Sequence, residues 1–143
     1  GMVGGQVVDV EMTGKSLNKE QIDFIYRLKT GALLEASFMV GAALAGVSDD
    51  MIRVLEETGK NIGYAFQIQD DILDITSTTQ ELGKPVHSDE KNEKNTYVTV
   101  YGMEQAKEAV EAYSEKALTF LEQLPVQSAF LNTLVYALIS RKK

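Results

Sequence analysis

Three aspartates, Asp70, Asp71 and Asp74, lie close together in the otherwise apolar stretch FQIQDDILDIT at residues 66–76. At 100° per residue they share with Gln67 an arc of about 100° on one helix face. Aspartate is a poor helix former, and like charges one turn apart repel each other. A hard divalent cation offsets that repulsion, because carboxylate oxygens are its preferred ligands. The cluster is therefore a candidate site for Mg2+, or for Mn2+ in its place; a solvated acidic face is the alternative interpretation.

Two further features adjoin these aspartates. Gly63 lies one turn before them on the same face and Gly59 another turn before that, which predicts open space beside the carboxylates. The polar loop that follows contains Lys84, Lys91 and Lys94, with Asp89 between them. Cations near a metal-binding helix suit a diphosphate that bridges metal and lysines. A charged surface loop is the alternative for the lysines.

The composition argues against several other classes of function. The net charge is −7 and no long basic stripe is present, so a nucleic-acid partner is not expected. The absence of cysteine excludes disulfides and thiolate metal sites and fits a cytoplasmic location. The sequence has no uncharged apolar run of about 18 residues, so no membrane span is expected. The first residues lack the pattern of a signal peptide.

Helices must position the aspartates, because hydrophobic periodicity predicts an all-α bundle of roughly six or seven helices. Ser48 is placed as the N-cap of one long helix of about 27 residues that ends at Thr76. Asn18 and Gln21 form a predicted capping box at the start of another helix. Residues 103–124 have the clearest amphipathic pattern, whereas residues 1–12 and 96–102 are ambiguous between helix and strand.

Residues 30–46, TGALLEASFMVGAALAG, carry a single charge and are rich in small residues. This composition is typical of a helix that is packed on most sides.

Five blocks of the sequence occur in an order that resembles a known family. They are GQVVD, LKTGALLEAS, FQIQDDILD, LGK and KNTYV, at residues 5–9, 28–37, 66–74, 82–84 and 94–98. Together they resemble the C-terminal half of trans-isoprenyl diphosphate synthases, and most of all bacterial farnesyl and geranylgeranyl diphosphate synthases. The resemblance implies that residues 1–143 are part of one all-α domain with the isoprenoid (terpenoid) synthase fold.

The resemblance also implies a chemistry and roles for individual residues. Members of the family ionise an allylic diphosphate with the help of Mg2+, and the resulting cation is attacked by isopentenyl diphosphate. Metal binding is implied for Asp70, Asp71, Asp74 and Asp89, with Asp70 as the most direct ligand. Catalytic roles around the diphosphate and the reacting carbons are implied for Lys29, Thr30, Gln67 and Lys84. Substrate binding is implied for Gln6, Asp9, Phe66 and Lys94. His87 stands where many relatives have glycine, as a solvated loop residue or a pH-sensitive contact to diphosphate.

The part of the family's chain that carries the first aspartate-rich motif has no counterpart in this sequence. We therefore expect a fragment that is inactive as a prenyltransferase on its own. We also expect uncovered apolar surface on the helix at 33–45 and on the apolar side of 68–75, and hence a homo-oligomer. Three alternatives remain open from the sequence: another terpenoid-synthase-fold enzyme, a non-catalytic partner subunit of a prenyl synthase, and a helical interaction module.

Overall fold

The structure, a computed structural model, describes residues 1–77, 95–125 and 128–140. These residues form seven α-helices and one π-helical segment, and no β-strand occurs among them. The elements are α1 (Met2–Glu11), α2 (Lys19–Tyr26), the π segment (Arg27–Gly31), α3 (Ala32–Leu44), α4 (Asp49–Thr76), α5 (Tyr97–Tyr101), α6 (Met103–Glu122) and α7 (Ala129–Ile139). The prediction of an all-α chain is confirmed.

Local capping sets the ends of the helices that carry the candidate site. The Ser48 hydroxyl accepts a hydrogen bond from the amide of Met51 at 3.4 Å, and α4 then runs for 28 residues to Thr76. The side chain of Asn18 accepts from the Gln21 amide at 2.9 Å, and the Gln21 side chain accepts from the Asn18 amide at 3.0 Å. Both predicted helix starts are confirmed, because each cap satisfies an amide that the first helical turn leaves without a partner.

Helix α4 is the central element of the bundle and packs against α3, α6, α7 and the π segment. One core cluster joins the C-terminal part of α4 to α2 and α6, through Ile22, Ile25, Tyr26, Ile68, Ile72, Ala106 and Val110. A second cluster joins the middle of α4 to the C-terminal part of α6 and to α7, through Ile62, Ala117, Leu121 and Val135. The aspartate-bearing end of α4 is therefore fixed on its apolar side by α2 and α6.

The predicted exposure of the two apolar surfaces is confirmed for one of them and wrong for the other. On α3 only Ala42 is buried, and the large side chains of Leu33, Val40 and Leu44 are exposed. The prediction of a helix packed on most sides is therefore wrong for α3, because the described elements cover only the side that faces α4. At residues 68–75, by contrast, most apolar side chains are buried, and only Ile75 is exposed. The physical reason is that α2 and α6, which this chain itself supplies, pack over that end of α4.

The two stretches with ambiguous periodicity are both helical, as α1 and α5. The side chain of Thr96 caps α5 by accepting from the amide of Thr99 at 3.2 Å. Within the described part of the chain, no helix combines the length and the apolar character that crossing a bilayer requires.

Candidate functional site

The π segment at Arg27–Gly31 separates α2 from α3 and carries two of the predicted site residues, Lys29 and Thr30. A π turn widens the helix by one residue and occurs mostly as a single turn at functional sites. In this chain it directs the Lys29 side chain to α1 and the Thr30 side chain to α4. No pattern in the sequence indicated this segment.

Lys29 is paired with Asp9 of α1. The lysine ammonium lies 2.8 Å from a carboxylate oxygen of Asp9, and both side chains are partly buried. The close approach of α1 depends on Gly5, one turn before Asp9, because a Cβ there would lie 2.8 Å from the carbonyl carbon of Leu28. Lys29, for which the resemblance implied a role at the diphosphate, is thus paired with the negative charge of Asp9 in this structure.

Thr30 and Gln67 also meet. The Thr30 hydroxyl donates a hydrogen bond to the side-chain oxygen of Gln67 at 2.6 Å, in a partly buried position. Gln67 lies one turn before Asp70 and Asp71 on α4. The contact therefore connects the π segment directly with the helix that carries the aspartates.

The glycine face of α4 is filled rather than open, so the predicted space beside the carboxylates is wrong. A Cβ at Gly63 would lie 2.7 Å from the Cα of Gly31, and one at Gly59 would lie 3.0 Å from the Cα of Glu35. Both glycines are buried against the π segment and α3. They allow these elements to approach α4 backbone to backbone, which brings Thr30 within hydrogen-bonding distance of Gln67.

Glu35 lies at the same crossing of α3 and α4. Its Oε1 atom is buried and has no hydrogen-bond partner among the described residues. Burial raises the pKa of the Glu35 carboxyl above its ordinary value, and the nearby charges of Arg27 and Lys60 offset part of that effect. Glu35 was not predicted as a site residue, because a single glutamate in an apolar helix does not reveal what packs over it.

The three aspartates do not share one environment. Asp71 is 4% exposed, and its Oδ2 atom accepts hydrogen bonds from the Tyr26 hydroxyl and, at 2.8 Å, from the Tyr97 amide. Asp74 is 2% exposed, whereas Asp70 is only partly buried. In the described ranges no three His, Cys, Asp or Glu side chains converge closely enough to hold a metal ion. One face of a helix thus contains one accessible carboxylate and two that the fold encloses.

The remaining predicted residues lie apart from these contacts or outside the described ranges. Gln6 is exposed on α1, and Phe66 is partly buried on α4. The predictions for Lys84, Asp89, Lys94 and His87 fall on residues that the structure does not describe. The structure therefore brings together Asp9, Lys29, Thr30 and Gln67, beside the aspartates of α4.

Comparison with known proteins identifies the family. The profile of the polyprenyl synthetase family matches residues 1–126. A farnesyl diphosphate synthase from Geobacillus stearothermophilus is 40% identical over 131 residues, which cover 92% of this chain and 44% of the relative. A geranylgeranyl diphosphate synthase from Cyanophora paradoxa is 47% identical over 119 residues, which cover 82% of this chain and 39% of the relative.

A solved structure agrees with the sequence matches. It is that of a geranyltransferase from Helicobacter pylori in complex with magnesium and isoprenyl diphosphate, with a TM-score of 0.81 and 32% identity. The match covers 98% of this chain and 46% of that protein. The chain thus spans about half the length of the relatives it matches, and it shares their all-α fold. By the family profile, by sequence identity and by fold, the chain belongs to the polyprenyl synthetase family.

Proposed function

We propose that this chain forms the allylic-diphosphate half of a prenyltransferase site, corresponding to the C-terminal half of one isoprenyl synthase domain. The observation that carries the proposal is the junction of the π segment with α4. There Thr30 contacts Gln67, and Lys29 directly precedes Thr30 in the π segment. The names of the relatives support it, since they are farnesyl and geranylgeranyl diphosphate synthases. The reaction is the condensation of an allylic diphosphate with isopentenyl diphosphate, releasing diphosphate.

The residues of the chain fit Mg2+ as a partial site. Mg2+ is usually bound through one or two carboxylates together with water and substrate phosphates. Asp70 offers such a carboxylate on the accessible side of α4, with Asp89 as a further proposed ligand. The Asp74 carboxylate is enclosed by the fold and would have to be uncovered before it could bind the ion. When bound, Mg2+ would stabilise the negative charge that develops on the departing diphosphate.

The chain's own residues would bind and orient the diphosphate. On binding, the ammonium of Lys29 would leave the Asp9 carboxylate and donate to a diphosphate oxygen instead. The new contact is again a charge-assisted hydrogen bond, so it compensates for the one that is lost. Held in a partly dry position, this cation stabilises the leaving group. The hydrogen-bonded pair of Thr30 and Gln67 fixes the polar wall next to it.

We also propose that the chain alone is catalytically inactive. We further propose that it associates with other copies of itself. Its matches span 44% and 39% of the two synthases, so the groups that would face Asp70 across a complete site belong to the remainder. Both statements are predictions about the chain in solution.

A turnover assay tests the proposed function. The chain is incubated with Mg2+, dimethylallyl diphosphate and isopentenyl diphosphate, alone and with the separately produced remainder of the Geobacillus stearothermophilus synthase that this chain does not match. We expect no product from either part alone and measurable product from the mixture. Turnover by the chain alone would contradict the assignment as half of a site. The control is the Geobacillus enzyme divided into the same two parts. If those parts regain activity when mixed but the mixture with this chain forms no product, the assignment is contradicted as well.

A further inference from the structure

Polar groups of α2 and α5 meet at one carboxylate oxygen of Asp71, which lies on α4. The Tyr26 hydroxyl, at the end of α2, donates to Oδ2 of Asp71. The Tyr97 amide, at the start of α5, lies 2.8 Å from the same oxygen and 2.9 Å from the Tyr26 hydroxyl oxygen. All three groups are thus within hydrogen-bonding distance of one another, although Tyr26, Asp71 and Tyr97 are far apart in the sequence.

The burial of this cluster makes the contacts necessary rather than incidental. Asp71 and Tyr26 are 4% and 6% exposed, and a buried carboxylate or hydroxyl without partners is costly. The Tyr97 amide is one of those that the first turn of a helix leaves without an intrahelical acceptor, and Asp71 supplies one. The Tyr97 ring packs within 6.4 Å of the Tyr26 ring and within 4.5 Å of the Tyr101 ring, measured between centroids.

The cluster lies at the boundary of the π segment. Tyr26 is the residue directly before Arg27, where the π turn begins, and Lys29 and Thr30 follow within the same turn. Asp71 is the direct neighbour of Asp70 on α4. A hydrogen bond between Tyr26 and Asp71 therefore helps to fix how far Lys29 and Thr30 lie from the accessible Asp70.

We propose that Asp71, the second aspartate of the DDILD motif, is a positioning residue and not a metal ligand. Its carboxylate holds the start of the π segment and the start of α5 against α4, so that Lys29 and Asp70 keep the spacing that a metal-bound diphosphate requires. This inference rests on the proposed function for its effect on diphosphate binding. It departs from the metal-ligand role that the sequence resemblance implied for Asp71, and it leaves that role to Asp70.

The substitution Asp71→Asn separates the two roles. Asparagine keeps the size and a carbonyl oxygen that accepts from the Tyr26 hydroxyl and the Tyr97 amide, but it removes the negative charge that makes a carboxylate a strong Mg2+ ligand. Asp71→Ala removes both. Tyr26→Phe removes only the hydroxyl, which donates to Asp71 and accepts from the Tyr97 amide, and it changes no proposed metal ligand. Tyr136→Phe on the exposed side of α7 is the matched control. Asp70→Asn is the comparison for loss of a metal ligand.

Two measurements on the 143-residue chain decide the matter. The first is the affinity for pyrophosphate in the presence of Mg2+, determined by calorimetry. We expect Asp70→Asn to weaken it at least about tenfold, Asp71→Asn to change it by less than about threefold, and Tyr26→Phe to weaken it about threefold. The second is hydrogen exchange at the Tyr97 amide, which should become at least about tenfold faster in Asp71→Ala and stay near wild type in Asp71→Asn.

The outcomes are distinct. A loss of affinity in Asp71→Asn as large as that in Asp70→Asn would overturn the proposal, as would an unchanged Tyr97 amide in Asp71→Ala. If wild type binds no Mg2+-dependent pyrophosphate, the proposed function fails. The positioning role is then decided by exchange alone, in which protection retained in Asp71→Asn and lost in Asp71→Ala supports it and any other pattern overturns it.

Discussion

The hydroxyl of Thr30 donates a hydrogen bond to the side-chain oxygen of Gln67 at 2.6 Å, across 37 positions of the sequence. This contact exists because the backbones of the π segment and α4 touch at Gly31 and Gly63. The candidate site is thus built on a helix crossing that only glycine permits. The first prediction concerns that crossing.

Gly63→Ala should destabilise the fold and weaken diphosphate binding. The new Cβ would lie 2.7 Å from the Cα of Gly31, and neither backbone can give way without moving Thr30 from Gln67. Overpacking of this kind costs about 2 kcal/mol, which lowers the melting temperature by about 6 °C for a chain of this size. Thermal unfolding followed by circular dichroism measures the shift.

The matched control is Gly41→Ala on the exposed side of α3, where a Cβ would meet nothing within 4 Å. Alanine is a better helix former than glycine, so this variant should gain about 0.5–1 kcal/mol. Equal effects of the two substitutions would contradict the role assigned to the crossing.

Asp9→Asn should strengthen the binding of pyrophosphate. The carboxylate of Asp9 competes with the ligand for the Lys29 ammonium, and the asparagine amide competes less well because it carries no charge. A partly exposed ion pair is worth about 1 kcal/mol, which predicts an affinity that is about fivefold higher. Calorimetric titration measures it, with Asp50→Asn in the exposed Asp50–Arg53 pair as control. A weaker affinity in Asp9→Asn would show that Asp9 supports the ligand instead of opposing it.

Glu35 should make the folded state less stable as the pH rises. Burial raises the pKa of its carboxyl above 4.5 in the folded state, so the folded protein holds a proton that the unfolded chain releases. The stability is therefore fully present below about pH 4.5 and falls as the pH rises through the folded-state pKa. In Glu35→Gln this part of the decline should disappear, and urea unfolding midpoints at pH 4.5 and pH 7 measure the difference.

The control for this titration is Glu108→Gln on the exposed face of α6. It should leave the difference between the two midpoints as in wild type. A wild-type difference retained in Glu35→Gln would mean that another group causes it.

The exposed apolar face of α3 should drive self-association. Leu33, Val40 and Leu44 lie on one side of the helix at spacings of 7 and 4 residues, and Leu44 is 86% exposed. Burying such a side chain is worth about 1.5–3 kcal/mol, so Val40→Lys with Leu44→Lys should weaken association more than about tenfold. Sedimentation velocity across a concentration series measures this. Ala112→Lys on α6 is the control for the added charge, and a wild type that stays monomeric throughout would contradict the prediction.

The fold was predictable where local chemistry decides it. Ser48 and Asn18 cap their helices as the sequence indicates, since a cap depends only on residues within one turn. The burial of Asp71 and the filled space at Gly63 were not predictable, because helical spacing shows which residues share a face but not what packs against it. The π segment left no signal in the periodicity of residues 19–44, since it adds only one residue to a turn.

Among the site residues, the resemblance to the family predicted more than the spacing did. Lys29, Thr30, Gln67 and Asp9 were assigned by motif, and the structure brings them together in two contacts. No site role was predicted for Tyr26, because the partner of its hydroxyl lies 45 positions away. Long-range pairs of this kind need the fold before they can be recognised.

The central claim is that the π segment and α4 together form a binding site for a metal-bound diphosphate. Calorimetric titration of pyrophosphate into the chain, with and without Mg2+, tests it most directly. We predict binding that requires Mg2+, that weakens at least about tenfold in Lys29→Gln and in Asp70→Asn, and that is unchanged in the surface control Lys107→Gln on α6. Binding that is equally strong without Mg2+, or that survives both substitutions, would contradict the claim.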